Sequence, residues 1–255
     1  MNIKIPSLAV ALFAIGAVIS PARADESGTL LLNDDLDLNN GGPFTAVVLP
    51  GSSVTEAAIN SLYSSLALAS TSSVGINGIP NPVTGFETFC VETDVEFNPT
   101  NWSGSSYTYN FSTGYAIQQT DSSLTLGAAY LYAQFATGNL SNILSDFSYS
   151  SGTALESLQY EIWALQGEYD YGNPDAGLVT ELASLAAANG GSGLASAGND
   201  FGVQVLELTY PGGQLAQDQL IYTGTAVPDS GATLGLLGAS LLALALWSRR
   251  KPAAV

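Results

Sequence analysis

The chain has 255 residues, 22 acidic and 5 basic side chains, no histidine, one cysteine and a net charge of −17. The basic residues sit at the two ends, Lys4 and Arg23 in front and Arg249, Arg250 and Lys251 behind, so nothing between Ala24 and Ser248 is cationic. This excludes a nucleic-acid binder, which must neutralise phosphates; histidine-based nucleophiles and zinc sites; and any internal disulfide or CxxC pair.

Residues 1–24 read as a secretory signal peptide. Lys4 supplies the positive start, Pro6 to Ile19 the apolar centre, and Ala22 and Ala24 the small residues before cleavage at Ala24-Asp25. Residues 25–226 are expected to form one exported domain, since roughly 200 residues suit a single core. They contain no repeat at a fixed period.

Phe44 to Leu49 is a strand candidate. Ser53 to Glu56 is a capping box opening a helix to about Ser70. Phe86 to Phe97 alternates, with Phe89, Val91 and Val95 on one side and Glu92, Asp94 and Glu96 on the other. Tyr107 to Gln118 reads as one or two strands. Ser123 to Thr137 reads as a helix stopped by Gly138. Thr153 to Glu156 is a second capping box, opening a helix that Gly167 stops. Leu178 to Ala188 is a third helix, and Phe201 to Tyr210 and Gln219 to Thr223 are late strands. The fold class expected is α+β: a mostly antiparallel sheet or sandwich with a helical insertion between its early and late strands.

Several residues carry candidate chemistry. Asp35, Asp37 and Asn39 have D-x-D-x-N spacing. Gly41 comes one place late and Ala46 stands where an EF-hand needs Glu, so the choice is between a loose surface Ca²⁺ site and a solvated turn. No other cofactor is indicated. Glu92, Asp94 and Glu96 could bind cations or supply a glycosidase pair, which makes a secreted carbohydrate-active enzyme a further alternative. Tyr169 and Tyr171 could stack on sugars or belong to the sheet.

Cys90, in Phe89-Cys90-Val91-Glu92, and Gln159, in Leu158-Gln159-Tyr160-Glu161-Ile162-Trp163, form the sharpest pair. A thiol and a carboxamide held in contact can lose ammonia to give an internal thioester, an electrophile that captures amines. Cys90 has no competing thiol, and the mature region, from Asp25 to Ala226, has no lysine to attack from within. Against this stands a plain reading, with Cys90 as a small core residue and Gln159 as a helix glutamine. These segments resemble the thioester domains of bacterial surface adhesins, where an aromatic-Cys strand pairs with a TQxAIW-like segment. The match lies at Gln159, Ile162 and Trp163; Leu158 and Glu161 replace the usual Thr and Ala. The wider pattern, with AYLYAQFATG, LQYEIWAL and AQDQL (Ala216 to Leu220), is similar to a group of PEP-CTERM proteins that carries no activity to transfer.

Residues 227–255 read as an address. Val227-Pro228-Asp229-Ser230-Gly231 is followed by 16 uncharged residues, Ala232 to Trp247, and then by Arg249, Arg250 and Lys251. As a helix the run spans about 24 Å, short of a hydrocarbon core of about 30 Å but able to insert with local thinning and its cations on the cytoplasmic side. The three parts resemble the VPDSG-CTERM variety of PEP-CTERM signals. The resemblance implies an exported protein, anchored in the inner membrane by this helix, cut near the pentapeptide by an exosortase, and passed to the cell surface or extracellular matrix. A plain C-terminal anchor is the alternative. The functional expectation is an adhesive or structural surface protein that is not an enzyme, with the Cys90–Gln159 thioester adhesin as alternative. Extracellular polysaccharide or surface amines are its expected partners, and nucleic acid is not.

Overall fold

A computed structural model describes residues 27–33, 43–49, 69–72, 83–93, 95, 107–118, 120–168 and 174–223. The signal peptide, Asp35 to Asn39, Ser53 to Glu56, Asp94, Glu96, Tyr169, Tyr171, and the whole C-terminal signal lie outside the described residues. Among the described residues no helix is long and apolar enough to cross a membrane.

Seven antiparallel strands make the main sheet. β1 (Ser27–Asn33) lies between β2 (Phe44–Val48) and β5 (Tyr107–Gly114). β2 continues to β4 (Val83–Thr88), which also pairs with the short β3 (Ala69–Ser72). A small two-stranded sheet of β6 (Ala116–Ile117) and β7 (Ser122–Ser123) follows β5. On the other side β5 pairs with β8 (Val203–Thr209), and β8 with β9 (Gln219–Tyr222). The order is β3-β4-β2-β1-β5-β8-β9.

The sheet closes through the continuation of β4. Past Thr88 the chain runs on beside β9: Leu220 N–H donates to Phe89 O at 3.0 Å, Val91 N–H donates to Asp218 O at 3.1 Å, and Cys90 bridges Gln219 in antiparallel sense. Thr88 stitches the same seam, its hydroxyl donating to Leu220 O at 2.6 Å and accepting from Leu220 N–H at 3.0 Å. β4, β2, β1, β5, β8 and β9 therefore form a nearly closed barrel. Closure gives β9 a partner on its second side and leaves the short β3 at the margin.

Side-chain alternation gives the barrel two buried faces. Leu30, Leu32, Phe44, Ala46, Phe86, Cys90, Tyr109, Phe111, Leu206, Leu208 and Ile221 fill the inside, with Trp163 packed among them. Phe89, Val91, Val203, Val205 and Leu220 point the other way and are covered by helices. Gly85 allows the tight β4–β2 crossing, because a Cβ there would lie 2.5 Å from Ala46 O.

The helices stand between β7 and β8. α1 (Leu126–Ala136) is capped by Thr125, whose hydroxyl accepts from Ala128 N–H at 3.3 Å. α2 (Leu140–Ile143) is a single turn. α3 (Gly152–Gln166) is capped by the Ser151 hydroxyl, and it ends at Gly167, which is left-handed at φ 79. α4 (Ala176–Ala188) is capped by Asp175.

The expected antiparallel α+β fold with a helical insertion is observed, with one correction: the sheet curls into a near-barrel and is not a two-sheet sandwich. The helix expected to reach Ser70 does not, because Ala69–Ser72 is β3. The helix expected from Ser123 starts at Leu126, since Ser122 and Ser123 pair in β7. Ser151, not Thr153, caps α3. The long strand expected over Phe86 to Phe97 ends as a ladder at Thr88, after which Cys90 makes an isolated bridge.

Candidate functional site: a cysteine among glutamines at the barrel seam

Cys90 sits where β4 leaves β2 and joins β9. The β2–β4 register ends at Phe44↔Thr88. In a strand, successive residues direct their backbone groups to opposite edges. Phe89 O and Val91 N–H serve β9, so the N–H and C=O of Cys90 face the other edge. There Gln159, 69 residues away and projecting from α3, takes both: Cys90 N–H donates to its Oε1 at 3.0 Å, and its Nε2–H donates to Cys90 O at 2.7 Å. The carboxamide thus stands in for a neighbouring strand. Both residues are buried, Gln159 fully and Cys90 at 1 % exposure, and Leu155, Leu158, Ile162 and Trp163 bury the same helix around Gln159.

The sulfur faces two further carboxamides. The Cys90 thiol donates to Gln217 Oε1 at 2.9 Å, and Gln219 Nε2–H donates to the sulfur at 3.0 Å. Gln217 is oriented by its own Nε2–H, which donates to Glu92 O. Gln219 Oε1 is buried without a hydrogen-bond partner, as is Gln204 Oε1 on β8. Register places Gln204 opposite Ile221 and Gln219 opposite Leu206, all on the inner barrel face. Each orphan acceptor costs about 1–3 kcal/mol.

Asp218, between the two glutamines, turns the other way. Its Oδ1 accepts from Leu208 N–H at 3.0 Å and its Oδ2 from Gln118 N–H at 2.8 Å, while its own N–H donates to Glu92 Oε2 at 3.1 Å. Burial pushes the Asp218 carboxyl up to about 8, overriding those two N–H donors, and the Glu92 charge pushes the same way. Glu161, on α3, is raised to about 7 by desolvation.

Of the residues singled out from sequence, Cys90 and Gln159 are brought together. Glu92, expected on one strand face with Asp94 and Glu96, is fully buried and bonded at the seam, because the chain there is the closing strand of the barrel. Glu168 is bound to Thr93, accepting from its N–H at 3.2 Å and its hydroxyl at 2.8 Å. No group of three or more His, Cys, Asp or Glu able to hold a metal occurs among the described residues. Gln217 and Gln219, for which the sequence alone suggests no role, both contact the sulfur. The alternation Gln217-Asp218-Gln219, which puts two amides on one face of a strand, is the signal that marks them.

The VPDSG-CTERM motif matches residues 226–251. The chain carries the sorting signal of an exosortase-processed, PEP-CTERM-type exported protein, one anchored in the membrane before processing. No curated protein and no solved structure matches the chain.

Proposed function

We propose that the exported domain is an attachment module of the cell surface or extracellular matrix, and that its chemistry is an internal thioester between Cys90 and Gln159. The observation that carries this reading is the double hydrogen bond of the Gln159 carboxamide to the Cys90 backbone. It fixes the acyl group against the backbone of the residue that carries the chain's only thiol. It also polarises that group: charge building on Oε1 during attack would be met by Cys90 N–H at 3.0 Å.

In the first step the Cys90 sulfur bonds to Gln159 Cδ, the Cδ–Nε2 bond breaks, and the thiol proton leaves with that nitrogen as ammonia. In the second, a primary amine bonds to Cδ, the Cδ–S bond breaks, and the sulfur takes up a proton from the amine. The product is an amide through Gln159 and a free Cys90. One turnover consumes the site, so the protein is an adhesin and not a catalyst. Burial keeps water from the thioester, and the lack of lysine from Ala24 to Ser248 removes internal competitors.

The test is the intact mass of the processed, secreted protein before and after methylamine, beside Cys90→Ala. The reading expects a mass low by one ammonia that methylamine then raises, with neither effect in Cys90→Ala. The plain sequence mass, unchanged by methylamine, would leave a non-covalent surface or matrix protein.

A further inference from the structure

Gln219 has a feature that the thioester reading leaves unused. One end of its carboxamide donates to the Cys90 sulfur at 3.0 Å, and that nitrogen also lies 3.4 Å from Gln217 O. The other end, Oε1, is buried with no hydrogen-bond partner. The side chain is fully buried and held by the barrel ladder opposite Leu206. A buried acceptor without a donor is uncommon, and it points to a group that is absent from the resting protein. The group it would take is a hydrogen-bond donor. The two ends of a carboxamide are about 2.2 Å apart, so Oε1 lies within about 5 Å of the Cys90 sulfur.

We propose that Gln219 Oε1 is the acceptor that seats the incoming primary amine, and that the Gln219 N–H stabilises the sulfur as it departs. This rests on the thioester reading and deepens it. Primary amines are the substrate class because such a nucleophile can give one N–H to Gln219 and still direct its lone pair at Gln159 Cδ. The amide oxygen does not remove a proton; the amine's proton goes to the departing Cys90 sulfur, so thiol and amide are the products. In the reverse sense the same oxygen holds the ammonia released when the thioester forms. Gln219 is a positioning residue, and its carboxamide works from both ends.

The test compares two nucleophiles on the processed protein, methylamine and ethanethiol, which attack the same carbon, the attacking ethanethiolate carrying no hydrogen-bond donor. Rates are read from the mass shift. Gln219→Leu removes both ends of the amide. It is expected to form the thioester, with aminolysis falling about tenfold relative to thiolysis, the size of one net hydrogen bond. Gln219→Glu keeps oxygen acceptors but loses the N–H to sulfur; both reactions slow together and their ratio stays near that of the wild type. Should Gln219→Leu not fold, Gln219→Met, of similar length with an apolar end, carries the same comparison. A ratio unchanged in the apolar variant overturns the inference while the thioester stands. Absence of a thioester in the wild type overturns both, and the wild-type mass alone distinguishes that outcome.

Discussion

Gln159 pairs with Cys90 as one strand pairs with another, through two hydrogen bonds of 3.0 and 2.7 Å made by a single side chain. The contact joins the helical layer to the barrel at the point where β2 no longer runs beside β4. It makes the helix part of the sheet's hydrogen-bonding, and it sets a carboxamide against the backbone of the cysteine.

Gln159→Leu should therefore cost stability as well as reactivity. It withdraws the side-chain partner of a buried N–H and a buried C=O, each worth about 1–3 kcal/mol when unsatisfied. A loss of about 2–4 kcal/mol in urea unfolding is expected, beside a normal sequence mass. A loss under about 0.5 kcal/mol, the range of surface substitutions, would show that the clasp is not a structural tie.

Gln204→Leu should act in the opposite direction. It removes an orphan acceptor and adds apolar surface inside the barrel. Unfolding midpoints equal to or above the wild type are expected, and a loss of more than about 1 kcal/mol would mean that Gln204 Oε1 has a partner in solution.

Stability should fall as pH rises from about 4 to about 8. Asp218 is raised to about 8 in the folded chain and Glu161 to about 7, from ordinary values of 3.8 and 4.5. The folded state then holds more protons than the unfolded one across that window, so unfolding becomes easier as pH climbs through it. Thermal midpoints at pH 5 should exceed those at pH 8.5. Asp218→Asn should flatten this slope, at the cost of setting one amide N–H against either Leu208 N–H or Gln118 N–H. A midpoint that rises from pH 5 to pH 8.5 would contradict the assignment.

Gly85→Ala should destabilise by about 1–3 kcal/mol, the range for overpacking, because the new methyl meets Ala46 O at 2.5 Å as well as Thr45 and Val47. A neutral effect, read by the same unfolding curves, would mean that β2 and β4 separate more easily than their register implies.

Much of this was legible in the sequence because it is local. Gly167 stops α3 since the αL position favours glycine, and Phe89 and Val91 share a face since strands alternate. What was not legible depends on closure. Nothing near Glu92 says that the strand carrying it will meet β9, so alternation alone puts its carboxylate with Asp94 and Glu96 as a cation or glycosidase candidate, whereas Asp218 N–H holds it at the seam. The sequence pattern carries a helix to about Ser70, because Ala69 and Ser70 suit either state locally, and only pairing with β4 makes them strand. Gln217 and Gln219 gain their role from a cysteine 127 and 129 residues earlier, which no local pattern connects to them.

The most direct measurement is the position of the captured amine. The processed protein is treated with methylamine, digested, and sequenced by tandem mass spectrometry. The account predicts methylamide on Gln159, with Cys90 recovered as a free thiol. Methylamide on Gln217 or Gln219, or on no glutamine, would contradict it.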